Sequence, residues 1–319
     1  MTRVGAIDCG TNSIRLLVAD VDPGSGLLRD VVRRMEIVRL GHGVDRTGAI
    51  APEAMARTLA RAHEYAVQCR ELGADRVRFV ATSASRDARN AAEFVSGVRE
   101  AFADFGTSPE VVTGDEEASL SFRGATGELR AGGAPGPYLV VDLGGGSTEF
   151  VLGTDDEEQA ISVDVGSVRI TERHLHGDPP TAAEVRAATA DVERALDGVA
   201  EVVDLPRTRT LVGLAGSITT ITAHALRLPR YESDLIHGTE LPVDQMVAAA
   251  DDLLRLRRTD RAALPYLHPG RVDVIGAGAF IWGRVIERVR AAAGITATVT
   301  SEHDILDGIA LSLGCGGLP

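Results

Sequence analysis

One stretch of this chain is written twice. Val141-Asp142-Leu143-Gly144-Gly145-Gly146-Ser147-Thr148-Glu149-Phe150-Val151 lies without a gap over Ile7-Asp8-Cys9-Gly10-Thr11-Asn12-Ser13-Ile14-Arg15-Leu16-Leu17. Asp, Gly and Ser coincide, and apolar residues coincide on both flanks. Two copies of a turn imply two copies of the unit that carries it, so the repeat restricts the fold before any motif is read. A chain of 319 residues is long enough to bury the cores of two domains, or three.

The flanking pattern is α/β. Val4 to Asp8 and Ile14 to Ala19 read as two strands around a tight turn, and a third strand lies within Leu27 to Leu40. Pro52 opens a helix whose apolar positions Met55, Leu59, Ala62, Ala66 and Cys69 recur at helical spacing, with Gly73 placed to cap it. Arg76 to Ala81 reads as a strand, Ala91 to Phe102 as a helix, Glu110 to Val112 as a short strand and Glu116 to Gly124 as the start of a helix. The glycine-, alanine- and proline-rich segment Gly127 to Pro137 reads as the domain junction. Beyond it come a helix from Ala182 to Leu196, a strand Thr210 to Leu214, a helix from Asp273 to Arg290, a strand Ile295 to Thr300 and a helix Asp304 to Leu313. The expected domains are residues 1–130 and 136–302, with a terminal helix over about 303–319 packing back on the first.

Composition excludes several classes of function. A net charge of −13 opposes long-range attraction of nucleic acid or anionic lipid, so an anionic substrate must be held by local groups. No stretch approaches the roughly 20 apolar residues of a membrane span, and no signal peptide is readable. Cys9, Cys69 and Cys315 fit neither a disulfide framework nor a zinc site, and a reducing cytoplasm is the natural compartment. All 33 basic residues are arginine, which rules out the phosphate-binding lysine of a Walker A loop or a protein kinase.

A strand that ends in aspartate and turns through glycine presents a carboxylate and unshielded backbone N–H groups at one edge, which suits metal-bound phosphate. Gly144, Gly145 and Gly146 allow close approach of an anion, and Ser147 adds a donor, as Thr11, Asn12 and Ser13 do in the first copy. The bland alternative, a hairpin needing glycine only for its backbone angles, is weakened by the repetition. Gly213-Leu214-Ala215-Gly216-Ser217 resembles a third anion site at a helix start, against the alternative of a serine N-cap. Physical reasoning does not choose between Glu116 and Glu117, neighbours in an acidic first helical turn. Arg86 stands beside Asp87 and by itself reads as a surface arginine.

These motifs occur in a familiar order. Ile7-Asp8-Cys9-Gly10-Thr11-Asn12-Ser13 with Arg15, Ala81-Thr82-Ser83-Ala84-Ser85-Arg86-Asp87-Ala88, Gly114-Asp115-Glu116-Glu117-Ala118, Asp142 to Glu149, and Ser301-Glu302-His303-Asp304-Ile305-Leu306-Asp307-Gly308 resemble the exopolyphosphatase and guanosine pentaphosphate phosphohydrolase (Ppx/GppA) family over nearly the whole chain. The chain is similar to its short, two-domain exopolyphosphatases. The resemblance implies duplicated ribonuclease-H-like domains of the actin-like, sugar kinase and Hsp70 superfamily, with an active site between the halves. It implies Glu117 as general base and Arg86 as the grip on the terminal phosphate. It further implies Mg2+ near Asp142, Glu149 and Asp8, phosphate contacts from the three glycine turns including Gly216 and Ser217, and a homodimer. One departure is the absence of a proline-glycine turn around Gly276-Ala277-Gly278-Ala279.

The expected reaction is hydrolysis of the terminal phosphoanhydride of inorganic polyphosphate, with a preference for short chains because no further helical domain follows. Guanosine pentaphosphate is the rival substrate. An ATP-dependent kinase would use Gly213 to Ser217 for nucleotide, and a non-catalytic alarmone or polyphosphate sensor would need no water-activating glutamate. His174 and His176 lack a third ligand and read as structural. Arg255, Arg257, Arg258 and Arg261, with Asp251, Asp252 and Asp260 nearby, read as a solvated helix face. His237-Gly238-Thr239-Glu240 is similar to a run that the resembled family often has at this place, so it is expected to line the cleft in the second half.

Overall fold

The computed structural model describes residues 1–314, so Cys315 and the rest of the expected terminal segment lie outside it. The chain divides into two compact units, residues 1–124 with the terminal helix, and Ala125–Asp304. The first contains β1 (Thr2–Cys9), β2 (Ser13–Val21), β3 (Leu28–Ile37), α1 (Val44–Thr47), α2 (Pro52–Glu71), β4 (Arg76–Ala81), α3 (Ser83–Asp87), α4 (Ala91–Ala101), β5 (Glu110–Val111) and the start of α5 (Gly114–Ala131). Its sheet runs β3-β2-β1-β4-β5, with β1 antiparallel to β2 and parallel to β4. That order is ribonuclease-H-like.

The second unit repeats the plan. It contains β6 (Tyr138–Leu143), β7 (Thr148–Gly153), β8 (Glu157–Val163), α6 (Ser167–His174), α7 (Ala182–Val202), β9 (Thr210–Leu214), α8 (Ala215–Ala225), α9 (Ser233–Ile236), β10 (Glu240–Pro242), α10 (Val243–Arg255), α11 (Arg258–Ala262), α12 (Ile275–Ala293) and β11 (Ala297–Thr300). Its sheet order is β10-β11-β9-β6-β7-β8, again with an antiparallel hairpin beside a parallel neighbour. Read from the other edge, β8-β7-β6-β9-β11 matches β3-β2-β1-β4-β5, and β10 is an addition.

Strand alternation sorts each hairpin's side chains to two faces. In β1 and β2, Ile7, Cys9, Ile14, Leu16 and Val18 join the core beneath α2 and α4. Val4, Ala6, Leu17, Ala19 and Val21 join Leu120 of α5 and Ile305, Leu306 and Ile309 of α13 (Ile305–Gly314) on the opposite face. Asp8 and Arg15 belong to that second face. In β6 and β7, Leu139, Val141, Leu143, Phe150 and Leu152 enter the large core with α7, α10 and α12, so Asp142 and Glu149 point away from it.

The terminal helix is held by shape and charge. A Cβ on Gly308 would stand 2.0 Å from the Leu120 carbonyl oxygen, so only glycine lets α13 cross α5 there. Arg33 donates to both oxygens of buried Asp307, at 3.2 and 2.5 Å.

Three local expectations need correction. Gly127 to Ala131 is not loop but the last part of α5, and the division between units falls inside that helix, at Gly124. Alanine, leucine, glutamate and arginine in Ala125 to Ala131 favour helix enough to absorb Gly127. Ser217 does not cap α8, because Leu214 occupies the cap position and Ser217 is already helical. Arg261 is buried, packed beside Gly276 of α12, rather than part of a solvated face. Pro52 at the first turn of α2 and Gly73 at φ +72° just past its end behave as expected. Among the described residues, no helix is long and apolar enough to cross a membrane.

Candidate active site

Each hairpin places its aspartate opposite a charged residue of the next strand. Asp8 pairs in register with Arg15, and Asp142 with Glu149. Residues directly opposite in an antiparallel pair share a face, so their charges meet. Arg15 grips Asp8 through Nε at 2.8 Å and Nη2 at 2.7 Å. Across the second hairpin two buried carboxylates face each other instead. Like charges in that arrangement are destabilising unless a cation joins them. Ser162, opposite Glu149 on β8, donates its hydroxyl to Glu149 Oε1 at 2.7 Å. An oxygen-only donor set with one carboxylate already oriented suits a hard divalent cation.

The turns between the strands are closed alike. Gly10 N donates to Ser13 O at 2.9 Å, and Gly144 N to Ser147 O at 3.1 Å. In the second turn, Gly144 O accepts from Ser167 N, Gly145 O from Val168 N and Arg169 N, and Gly146 O from Arg169 Nε at 2.6 Å. A trans peptide directs its N–H opposite to its C=O. The three carbonyls face the start of α6, so the amides of Gly145, Gly146 and Ser147 face the other way, as an anion cradle requires. In the first turn, Thr11 O accepts from Gly41 N and Asn12 O from Val38 N and Arg39 N, which aims the amides of Asn12 and Ser13. Thr11 Oγ1 and Ser83 Oγ lie 2.8 Å apart, linking this turn to α3.

Arg86, in α3, donates from Nη1 to Val112 O at 3.0 Å and to Glu117 Oε2 at 3.1 Å. Glu117 is 8% exposed on the inner side of α5. Its neighbour Glu116 points elsewhere, with its Oε1 2.7 Å from Arg78 Nη2, and is exposed. Burial and the contact with Arg86, rather than with Arg78, thus distinguish two glutamates that sequence periodicity left equivalent.

A model of the Ppx/GppA phosphatase family matches residues 17–313 of the chain. The chain belongs to that family. Exopolyphosphatase 2 of Mycobacterium tuberculosis is 50% identical over 98% of this chain and 99% of its own length. A solved exopolyphosphatase-like protein shares 44% identity and superposes with a TM-score of 0.93, covering 98% of both chains. The Aquifex aeolicus Ppx/GppA family member shares 30% identity with a TM-score of 0.79, over 98% of this chain and 97% of that one.

As a Ppx/GppA protein the chain gathers its expected residues within each unit as follows. The first unit brings together Asp8 with Arg15, Thr11 with Ser83, and Arg86 with Glu117. The second brings Asp142 opposite Glu149 beside the Gly144–Ser147 turn. Gly216 and Ser217 sit in the first turn of α8, after Ala215 at φ +68°. Arg271 Nη1 donates to Gly216 O at 3.0 Å, and a Cβ on Gly216 would fall 1.9 Å from the Arg271 guanidinium carbon. Gly278 packs on the Ser217 side chain, so the Gly276–Ala279 run is the buried start of α12.

Several contributors were missed from sequence. Arg169 and Ser162 act on the second hairpin from later elements, and Arg271 lies far along the chain from Gly216. Gly166 is required because its Cβ would meet Gly145 and Gly146 backbone atoms at 2.5 to 2.6 Å. Only the run Gly166-Ser167-Val168-Arg169 offered a signal, and a single glycine before a helix is a weak one.

Proposed function

We propose that this protein is an exopolyphosphatase that removes orthophosphate from the end of inorganic polyphosphate. The observation that carries the reading is the pairing of buried Glu117 with Arg86 in a Ppx/GppA chain 50% identical to Exopolyphosphatase 2. Glu117 takes a proton from water, whose oxygen forms a bond to the terminal phosphorus. The bridging P–O bond breaks, and its electrons leave with the shortened chain. Arg86 has five N–H donors in a fixed fork, so binding Glu117 and Val112 O through Nη1 still permits it to hold equatorial phosphate oxygens. The amides of the two turns hold further phosphoryl oxygens, and Gly216 and Ser217 extend that role. No protein nucleophile is required.

The opposed pair Asp142 and Glu149 would hold Mg2+, with Asp8, already engaged by Arg15, the lesser candidate. When bound, the ion would neutralise charge on the phosphoryl oxygens. The reading also includes a cytoplasmic homodimer, which rests on the family resemblance and cysteine usage.

A second reading, hydrolysis of guanosine pentaphosphate, is favoured by relatives such as the guanosine-5'-triphosphate,3'-diphosphate pyrophosphatase of Aeromonas salmonicida, 30% identical over 88% of this chain and 54% of its own length. Orthophosphate release from short polyphosphate, long polyphosphate, guanosine pentaphosphate and ATP, with and without Mg2+, separates the readings. Short polyphosphate is expected to be turned over fastest, and only with Mg2+. Glu117→Gln should lower turnover by roughly 10² to 10⁴. Near-normal release by that variant contradicts the assignment of the base.

A further inference from the structure

Three side chains apart from the phosphate-handling turns converge on one point of the second unit. Glu128 lies near the end of α5, His237 follows α9, and His303 follows β11. His237 Nε2 is 2.8 Å from Glu128 Oε2, and His303 Nδ1 is 3.6 Å from Glu128 Oε1. The two imidazoles face each other with centroids 4.4 Å apart. One ligand atom from each residue lies within 4.8 Å of the other two.

The backbones that carry the histidines are fixed to one another. Gly238 N donates to Thr300 O at 2.8 Å, and Thr300 N to Thr239 O at 3.0 Å. Ser301 Oγ donates to His303 O at 2.8 Å and accepts from His303 N at 3.0 Å. The site is open to solvent, with side-chain exposures of 28% for His237, 31% for His303 and 65% for Glu128. An ion therefore has an entry path, and the most exposed member of the set is the carboxylate.

We propose that His237, His303 and Glu128 form a binding site for a borderline divalent transition metal, of which Zn2+ is the representative. Two imidazole nitrogens and one carboxylate, with a fourth position open to water, make up a known class of zinc ligand set. Mg2+ prefers oxygen ligands in octahedral geometry and is disfavoured here, so the site differs in chemistry from the Asp142 and Glu149 pair. Metal–ligand bonds of about 2.0 to 2.2 Å put donors roughly 3.3 Å apart, which asks the Glu128 and His237 atoms to separate slightly and the widest pair to close by about 1.5 Å. Rotation of Glu128 and His303 supplies that movement.

His237 sets the strength of the site. Glu302 N donates to His237 Nδ1 at 3.1 Å, which places the proton of the neutral ring on Nε2. Ligation through Nε2 moves that proton to Nδ1 and breaks the Glu302 contact, a loss of roughly tenfold in affinity. The site is accordingly weaker than a closed four-ligand structural zinc centre, and reversible. Its place in the chain gives it consequence. The chain enters this unit between Gly124 and Ala125 and leaves it between Asp304 and Ile305, so Glu128 and His303 each lie within about one helical turn's worth of residues of a crossing. A bound ion ties both segments to the loop that follows α9.

The test is calorimetric titration of metal-stripped, full-length protein with Zn2+ in excess Mg2+. One equivalent of Zn2+ should bind, and affinity should fall at least roughly 100-fold in His303→Ala and His237→Ala. The exposed position of Glu128 lets Glu128→Ala keep its fold, checked by circular dichroism, and this variant should lose roughly tenfold or more. Asp142→Asn should leave the Zn2+ isotherm unchanged. Absence of Zn2+ binding under excess Mg2+, binding that survives His303→Ala and Glu128→Ala, or binding lost in Asp142→Asn overturns the proposal.

Discussion

The β1–β2 and β6–β7 hairpins share a backbone and differ in charge. Both close with a Gly N to Ser O hydrogen bond, both carry an aspartate at the next-to-last position of the first strand, and both present a charged side chain opposite it. In the first, Arg15 satisfies Asp8 within the protein. In the second, Glu149 doubles the negative charge of Asp142, and Ser162 orients one of the two carboxylates. Duplication has kept the scaffold that aims backbone amides and changed one cross-strand partner. The first hairpin thus sets an ion pair across its strands, and the second sets two carboxylates there.

The largest expected effect comes from making the second hairpin like the first. Glu149→Arg should lower phosphate release by about 10³ or more, comparable to losing a preorganised electrostatic group, and abolish its Mg2+ dependence. A magnesium titration of turnover checks both parts. Next is the converse deletion, Arg15→Ala, which removes the guanidinium that contacts Oδ2 of buried Asp8 through two nitrogens. Urea denaturation should show a loss of about 3 kcal/mol, the lower part of the range for breaking a buried pair because Arg15 remains partly exposed.

The supports of the two turns also differ. A Cβ on Gly166 would strike Gly145 and Gly146 backbone, whereas one on Gly41 would strike the Thr11 side chain at 2.4 Å. Gly166→Ala should cost about 2 to 3 kcal/mol and Gly41→Ala about 1 to 2 kcal/mol, read from urea midpoints at constant slope. Thr11→Ser should relieve much of the second loss, since it removes the obstructing methyl, while no side-chain change relieves the first. The smallest effect is for Ser162→Ala, which should raise the Mg2+ concentration for half-maximal turnover roughly tenfold with little change in maximal rate.

What could be read without coordinates followed the range of each interaction. The duplicated turns were legible because glycine, aspartate and serine answer to local backbone geometry, and the strands beside them to a period of two. The opposition of Asp142 and Glu149 was present in the spacing, yet its contrast with Asp8 and Arg15 needs the cross-strand register. Arg169, Ser162 and Arg271 were illegible because each acts on a turn through folding of a later segment. Gly127 to Pro137 misled because glycine and alanine mark both loops and helix ends, and α5 continues to Ala131. Arg261 misled because nearby aspartates suggested solvent, although its guanidinium packs beside Gly276 of α12.

The contrast between hairpins is tested most directly by electron paramagnetic resonance with Mn2+ in place of Mg2+. Bound Mn2+ should appear with the wild type, persist in Asp8→Asn, and fall to the free-ion signal in Asp142→Asn and Glu149→Gln. Mn2+ that stays bound in both second-hairpin variants, or is released only by Asp8→Asn, contradicts the account.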